Sequence, residues 1–122
     1  MRVFEGLINI ESILDHIEDS IFAIDPSGLI RYANPAFCRL LGYQEDEILG
    51  LDIQELVADE NIFSTCMVSV KRYGYCHNQE TLLRHKSGSL IHVVKNVRSV
   101  EDKNGTVSSI LVSMRDLSEV DR

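Results

Sequence analysis

"YANPAFCRLLGY", residues 32–43, begins as the end of an apolar strand, stops at Asn34-Pro35 and continues with apolar residues at helical spacing. Asn34 is placed to accept a backbone N–H as an N-cap. Pro35, at the first helical position, gives up a donor that a helix start leaves unpaired in any case. Phe37, Leu40 and Leu41 then share one face, and Gly42 can close the helix in the left-handed conformation. The stretch predicts a strand-to-helix corner whose helix covers something apolar.

Working upstream, "SIFAID" (20–25) and "LIRYA" (29–33) flank Pro26-Ser27-Gly28 and predict a hairpin. Downstream, "YQEDEILG" (43–50) and "IQELV" (53–57) read as short helices, and "ENIFSTCMVSVKRY" (60–73) as a longer one carrying Ile62, Phe63, Cys66, Met67 and Val70 on one stripe. The remainder is extended: "CHNQETLLRH", a turn at Lys86-Ser87-Gly88, "SLIHVVKNVRSV", a turn at Asp102-Lys103-Asn104-Gly105, and "TVSSILVSMRD". Asn-Gly between strand patterns predicts a type I′ turn. Two strands, a run of helices and three strands make an α+β layout with helices over one face of a sheet.

At the other end of the chain, Val3, Leu7, Ile10, Leu14 and Ile17 follow a 4-3-4-3 spacing. That is the seam of an amphipathic helix, which either pairs with a second copy or folds onto its own domain.

A chain of 122 residues with 44% hydrophobic and 25% charged residues has the size and balance of one self-sufficient domain. Its 12 basic against 19 acidic residues, a net charge of -7, leave no basic footprint for nucleic acid. No apolar run approaches the about 20 residues of a membrane span, and the first residues lack a signal-peptide layout. The expected location is the cytoplasm, without direct membrane contact.

Cys38, Cys66 and Cys76 are odd in number and form no C-x-x-C, so each reads as a reduced, packed thiol. His16, His77, His85 and His92 are scattered without an i, i+4 pair, and no metal site is expected. Ser108, Ser109, His92 and Asp116 supply the letters of a catalytic triad, but no nucleophile elbow accompanies them. No catalytic residue is assigned.

The order of these elements, with "IFAIDPSGLIRYANPAFCRLLGYQEDEILG", the "HKSG" and "DKNG" turns and the closing "RDLSE", resembles the PAS (Per-Arnt-Sim) sensory domain over residues 11 to 119. The resemblance implies a five-stranded antiparallel sheet in spatial order 2-1-5-4-3, with helices packed around a small pocket. It matches Asn34, Gly42-Tyr43, Glu47 and Gly50, and a terminal latch at Asp116, Leu117 and Ser118. On this basis residues 1–18 form the entry helix, with Leu7, Ile10, Leu14 and Ile17 as a dimer seam. Residues 19–117 form the core, and 118–122 begin an outgoing linker helix.

The pocket candidates that follow are Phe37 and Leu41 from the helix after Asn34, and Phe63, Cys66 and Met67 from the long helix. Glu80, Leu82, Ile91, Val93, Lys95 and Val97 come from the strands. The family's haem binders carry a His on the long helix, where Cys66 and Met67 stand here. Its flavin-adduct photoreceptors need a Cys on an earlier helix, where "DIQELVADE" has none. No cofactor is expected.

Pairing Lys86 with Ser89 predicts that Leu82 faces Val93, Arg84 faces Ile91 and Glu80 faces Lys95. The resemblance implies that the side of Ile91, Val93, Lys95 and Val97 lines the pocket, so that Lys95 puts a cation where the family carries an apolar residue. Three arrangements satisfy it: an ion pair with Glu80, a small polar or carboxylate ligand, or a stem that reaches solvent.

The expected function is a non-catalytic sensory domain of a multidomain bacterial signalling protein, such as a histidine kinase, a diguanylate cyclase or a transcription regulator. It would detect a small molecule, dimerise, and act on an output domain in the same chain. The alternative is a ligand-free dimerisation module.

Overall fold

The computed structural model describes residues 18–117. Its elements are β1 (Ser20–Ile24), β2 (Ile30–Ala33), α1 (Pro35–Leu41), α2 (Glu45–Ile48), a 3₁₀ turn (Ile53–Glu55), α3 (Glu60–Tyr73), β3 (Tyr75–Arg84), β4 (Leu90–Glu101) and β5 (Val107–Asp116). The strands form one antiparallel sheet in the order β2-β1-β5-β4-β3. The expected α+β class and strand order are therefore observed. The seam at Leu7, Ile10, Leu14 and Ile17, and Ser118 of the latch, lie outside the described residues.

Asn34 makes the predicted corner. Its Oδ1 accepts from Phe37 N–H at 2.9 Å, which caps α1, and also from Ile21 N–H at 3.0 Å. Its Nδ2 donates to the Asp19 carbonyl at 2.9 Å. One buried carboxamide thus starts the helix and ties it to β1. The Phe37 ring then stacks on Phe22 of β1, with centroids 4.4 Å apart. The "IQELV" segment forms only a 3₁₀ turn, because Val57 already bridges to Leu83 and draws the chain into extended form.

The three hairpins share one loop, and it is not the type I′ turn expected at Asn104-Gly105. In each, the first residue's N–H donates to the carbonyl four residues on: Asp25 to Leu29 at 2.9 Å, His85 to Ser89 at 2.8 Å and Asp102 to Thr106 at 2.8 Å. Gly28, Gly88 and Gly105 hold the left-handed position at φ 96°, 97° and 79°, whereas a type I′ turn would need positive φ at Asn104 too. Among the described residues Asn78 is the only non-glycine with positive φ. Each first residue also accepts the N–H two residues on: Asp25 Oδ1 from Ser27 at 2.9 Å, His85 Nδ1 from Ser87 at 3.0 Å, and Asp102 Oδ1 from Asn104 at 2.8 Å.

This loop corrects the β3–β4 register. Arg84 pairs with Leu90, Leu82 with His92, Thr81 with Val93, and Gln79 with Lys95. A slip of one residue exchanges the faces of a strand. Thr81 and Leu83 consequently point inward and are buried, while Glu80 and Leu82 stand on the outer face. Glu80 Oε1 meets His92 Nε2 at 3.1 Å there, not Lys95. Arg84 is exposed, its Nη1 donating to the Val57 carbonyl at 3.2 Å.

The Ser27 hydroxyl, the Leu29 N–H and Arg31 hold the Asp25 carboxyl well below the usual carboxylate range. A carboxyl whose pKa is lowered by folding adds stability above its unfolded value near ~3.9, and loses that contribution as pH falls toward the folded value. Asp25→Asn should therefore be less stable than wild type at neutral pH, with the gap narrowing as pH drops below about 4. Urea melts at three pH values check this; a gap that stays constant would rule out the charged form as the cause.

Candidate functional site

Between α3 and the inner face of the sheet lies a cavity of about 30 Å³. Of the sequence candidates, Phe63, Cys66, Met67, Lys95 and Val97 line it. Val93, Phe37 and Leu41 are fully buried in the core but stand off the cavity wall. Ile91 faces a separate open groove of about 670 Å³, beside Ala36 and Leu40. Glu80 and Leu82 do not contribute, for the register reason above. Leu83, Ile53, Val57 and five residues of β1 and β5 complete the lining, and sequence reading assigned none of them to it.

Lys95 is 8% exposed, and its ammonium lies 5.9 Å from the Phe63 ring centroid. The ion pairs among the described residues are Arg31–Asp25, Lys86–Glu47, His92–Glu80 and Arg115–Asp19; none reaches Lys95. Gln79 stands opposite Lys95 across the ladder. Its Oε1 accepts a hydrogen bond from Cys76 Sγ at 3.6 Å. The inner surface of β3 and β4 is therefore polar at this point. The repeated Asp/His-x-x-Gly-x turn pattern was the signal that would have placed Gln79 there.

Cys66, at the same end of the cavity, is 1% exposed. Burial pushes its thiol up to about 12, against the opposing pull of the Lys95 charge, and the neighbouring Cys76 thiol adds to the rise. At neutral pH Cys66 is a protonated thiol. The volume of about 30 Å³ takes water or a molecule of a few heavy atoms. The described residues contain no cluster of His, Cys, Asp or Glu able to hold a metal, and no helix long and apolar enough to cross a membrane.

The cavity and the chain ends are joined by one strand. Lys95 pairs with Met114, which lines both the cavity and the open groove. Asp116, two residues further, lines the same groove with Glu18 and Asp19 at the chain's entry. Arg115 Nε to Asp19 Oδ1, at 3.6 Å, links exit to entry. The start of β1 and the end of β5 therefore lie side by side at one end of the inner strands of the sheet.

Known structures share this architecture. The PAS domain of a protein from Colwellia psychrerythraea superposes with a TM-score of 0.81 at 23% identity, covering 87% of this chain and 92% of that one. A PAS domain from a two-component sensor histidine kinase gives 0.77 at 18% identity, covering 94% and 96%. The light-state dimer of the fungal blue-light photoreceptor Vivid gives 0.71 at 19%, covering 81% and 78%. The family model described as PAS domain matches residues 18–119, and with the observed strand order this establishes that the chain belongs to the PAS domain family of sensory modules.

Proposed function

We propose that this domain senses a small anionic or strongly polar molecule held against Lys95 and passes occupancy to its terminal segments. Lys95 carries this reading: the residue is 8% exposed, lines the cavity and has no carboxylate partner among the described residues, so its ammonium is free to take an anion there. A ligand that binds one arrangement of Lys95 and Met114 better than another shifts the groove that Met114 lines with Asp19 and Asp116. In the chain of origin, the responding output would be a histidine kinase, a diguanylate cyclase or a transcription regulator. The kinase origin of one structural neighbour supports that class.

The test is a thermal melt with and without small carboxylates and inorganic phosphate, beside native mass spectrometry of the purified protein. Wild type is expected to melt several degrees higher with the right anion, and Lys95→Met to lose that shift while remaining folded. An anion shift of equal size in Lys95→Met, or none in wild type across the panel, removes the proposal.

A second reading is favoured by the small cavity: a ligand-free dimerisation module. Tyr75, Val100 and Leu111 stand exposed on the outer face of the sheet and offer apolar contact to a second copy. A folded dimer without added mass supports this reading.

A further inference from the structure

We infer that Cys66 and Cys76 are an oxidisable pair that closes into a disulfide between α3 and β3 when a hydroperoxide reaches Cys76. Their sequence spacing shows no redox motif, and only the fold brings them together. Cys66 projects from α3 into the core, while Cys76 sits half-buried at the start of β3. The Ser69 hydroxyl donates to the Tyr75 carbonyl at 2.8 Å, clipping α3 to the start of β3 one helical turn from Cys66. Cys76 pairs with Val97 across the ladder, and Val97 lines the cavity together with Cys66 and Lys95, so the two thiols meet at the same wall; the Lys95 charge there favours a thiolate at Cys66.

The two thiols divide the roles by exposure. Cys76, reachable from solvent, is attacked first: its thiolate takes one oxygen from the peroxide, the O–O bond breaks, and the departing hydroxide carries away the thiol proton as water. Sulfur is oxidised to sulfenic acid and the peroxide is reduced. Cys66 then attacks the sulfenic sulfur, the S–S bond forms, the S–O bond breaks, and the Cys66 proton leaves with the hydroxyl as a second water. Lys95 stabilises the Cys66 thiolate as it develops.

Cys66 is a poor thiolate at rest, so the second step is expected to be the slow one. The ladder irregularity between Cys76 and Gln79, with Asn78 at φ 54°, lets the start of β3 move toward α3 without disturbing the paired strand beyond it. Closure would fix the cavity wall at the point where Cys66 and Lys95 meet. This inference does not depend on an anion binding at Lys95.

The experiment is a titration of the reduced protein with hydrogen peroxide, followed by alkylation under denaturing conditions and intact mass measurement. Wild type is expected to fall from three alkylated cysteines to one, with loss of two hydrogens and a Cys66–Cys76 linked peptide. Cys38→Ser should form the same link, and Cys66→Ser should accumulate a dimedone-reactive sulfenic acid at Cys76. The wild-type measurement alone decides the matter if a variant misfolds. Three free thiols retained after prolonged excess peroxide, a link involving Cys38, a link between two chains, or a cross-link to Lys95 retaining an oxygen would each overturn the inference.

Discussion

Asn34→Ala is expected to lose about 3–5 kcal/mol of unfolding free energy, enough to leave a domain of this size barely folded at 37 °C. The side chain is fully buried and holds three backbone groups: Phe37 N–H, Ile21 N–H and the Asp19 carbonyl. Removal leaves those groups facing a small void, and each unsatisfied buried group costs about 1–3 kcal/mol. Capping alone does not account for such a loss. Serine is as good an N-cap as asparagine, yet it cannot reach Phe37, Ile21 and Asp19 together. Asn34→Ser should therefore still lose about 2–3 kcal/mol in a urea melt. Stability of Asn34→Ser equal to wild type would mean that the link between β1 and α1 contributes nothing.

Gly42→Ala is expected to lose about 2–4 kcal/mol, from two causes that can be separated. Gly42 ends α1 at φ 80°, where an L side chain is strained by about 1–2 kcal/mol. An added Cβ would also lie 2.5 Å from Cε1 and 2.6 Å from Nε2 of His85. The ring cannot easily swing aside, because Nδ1 accepts from Ser87 N–H at 3.0 Å and meets Ser87 Oγ at 2.9 Å. Aspartate fills the equivalent turn position at Asp25 and Asp102, so His85→Asp should keep the turn and vacate the space. In a double-mutant cycle, Gly42→Ala made on His85→Asp should lose only about 1–2 kcal/mol, the backbone share. Equal losses in both backgrounds would show that the ring contact has no weight.

The same two positions show what was legible in advance. Asn34, Pro35 and Gly42 act on backbone groups within one helical turn, so their roles at the ends of α1 could be read directly. The long helix α3 likewise runs over the stretch expected for it. The second duty of Asn34, toward Ile21 and Asp19, reaches 13 and 15 residues back along the chain and has no local signal. The β3–β4 register failed on one residue: His85 was not recognised as the acceptor that aspartate supplies in the other two loops. That shift moved Glu80 and Leu82 to the outer face and brought Gln79 opposite Lys95.

By itself, then, the sequence determined the element order, the helix ends, the α+β class and the family, because caps, turns and hydrophobic periods are written within a few residues. The family resemblance implied that Lys95 stands on the pocket side, but it left open a stem reaching solvent. Only the tertiary structure decided that Lys95 lacks Glu80, that the cavity is about 30 Å³, and that Cys66 lies beside Cys76. Those facts depend on which strand face meets which helix, and a one-residue change in a hairpin loop reverses that choice without altering any local pattern.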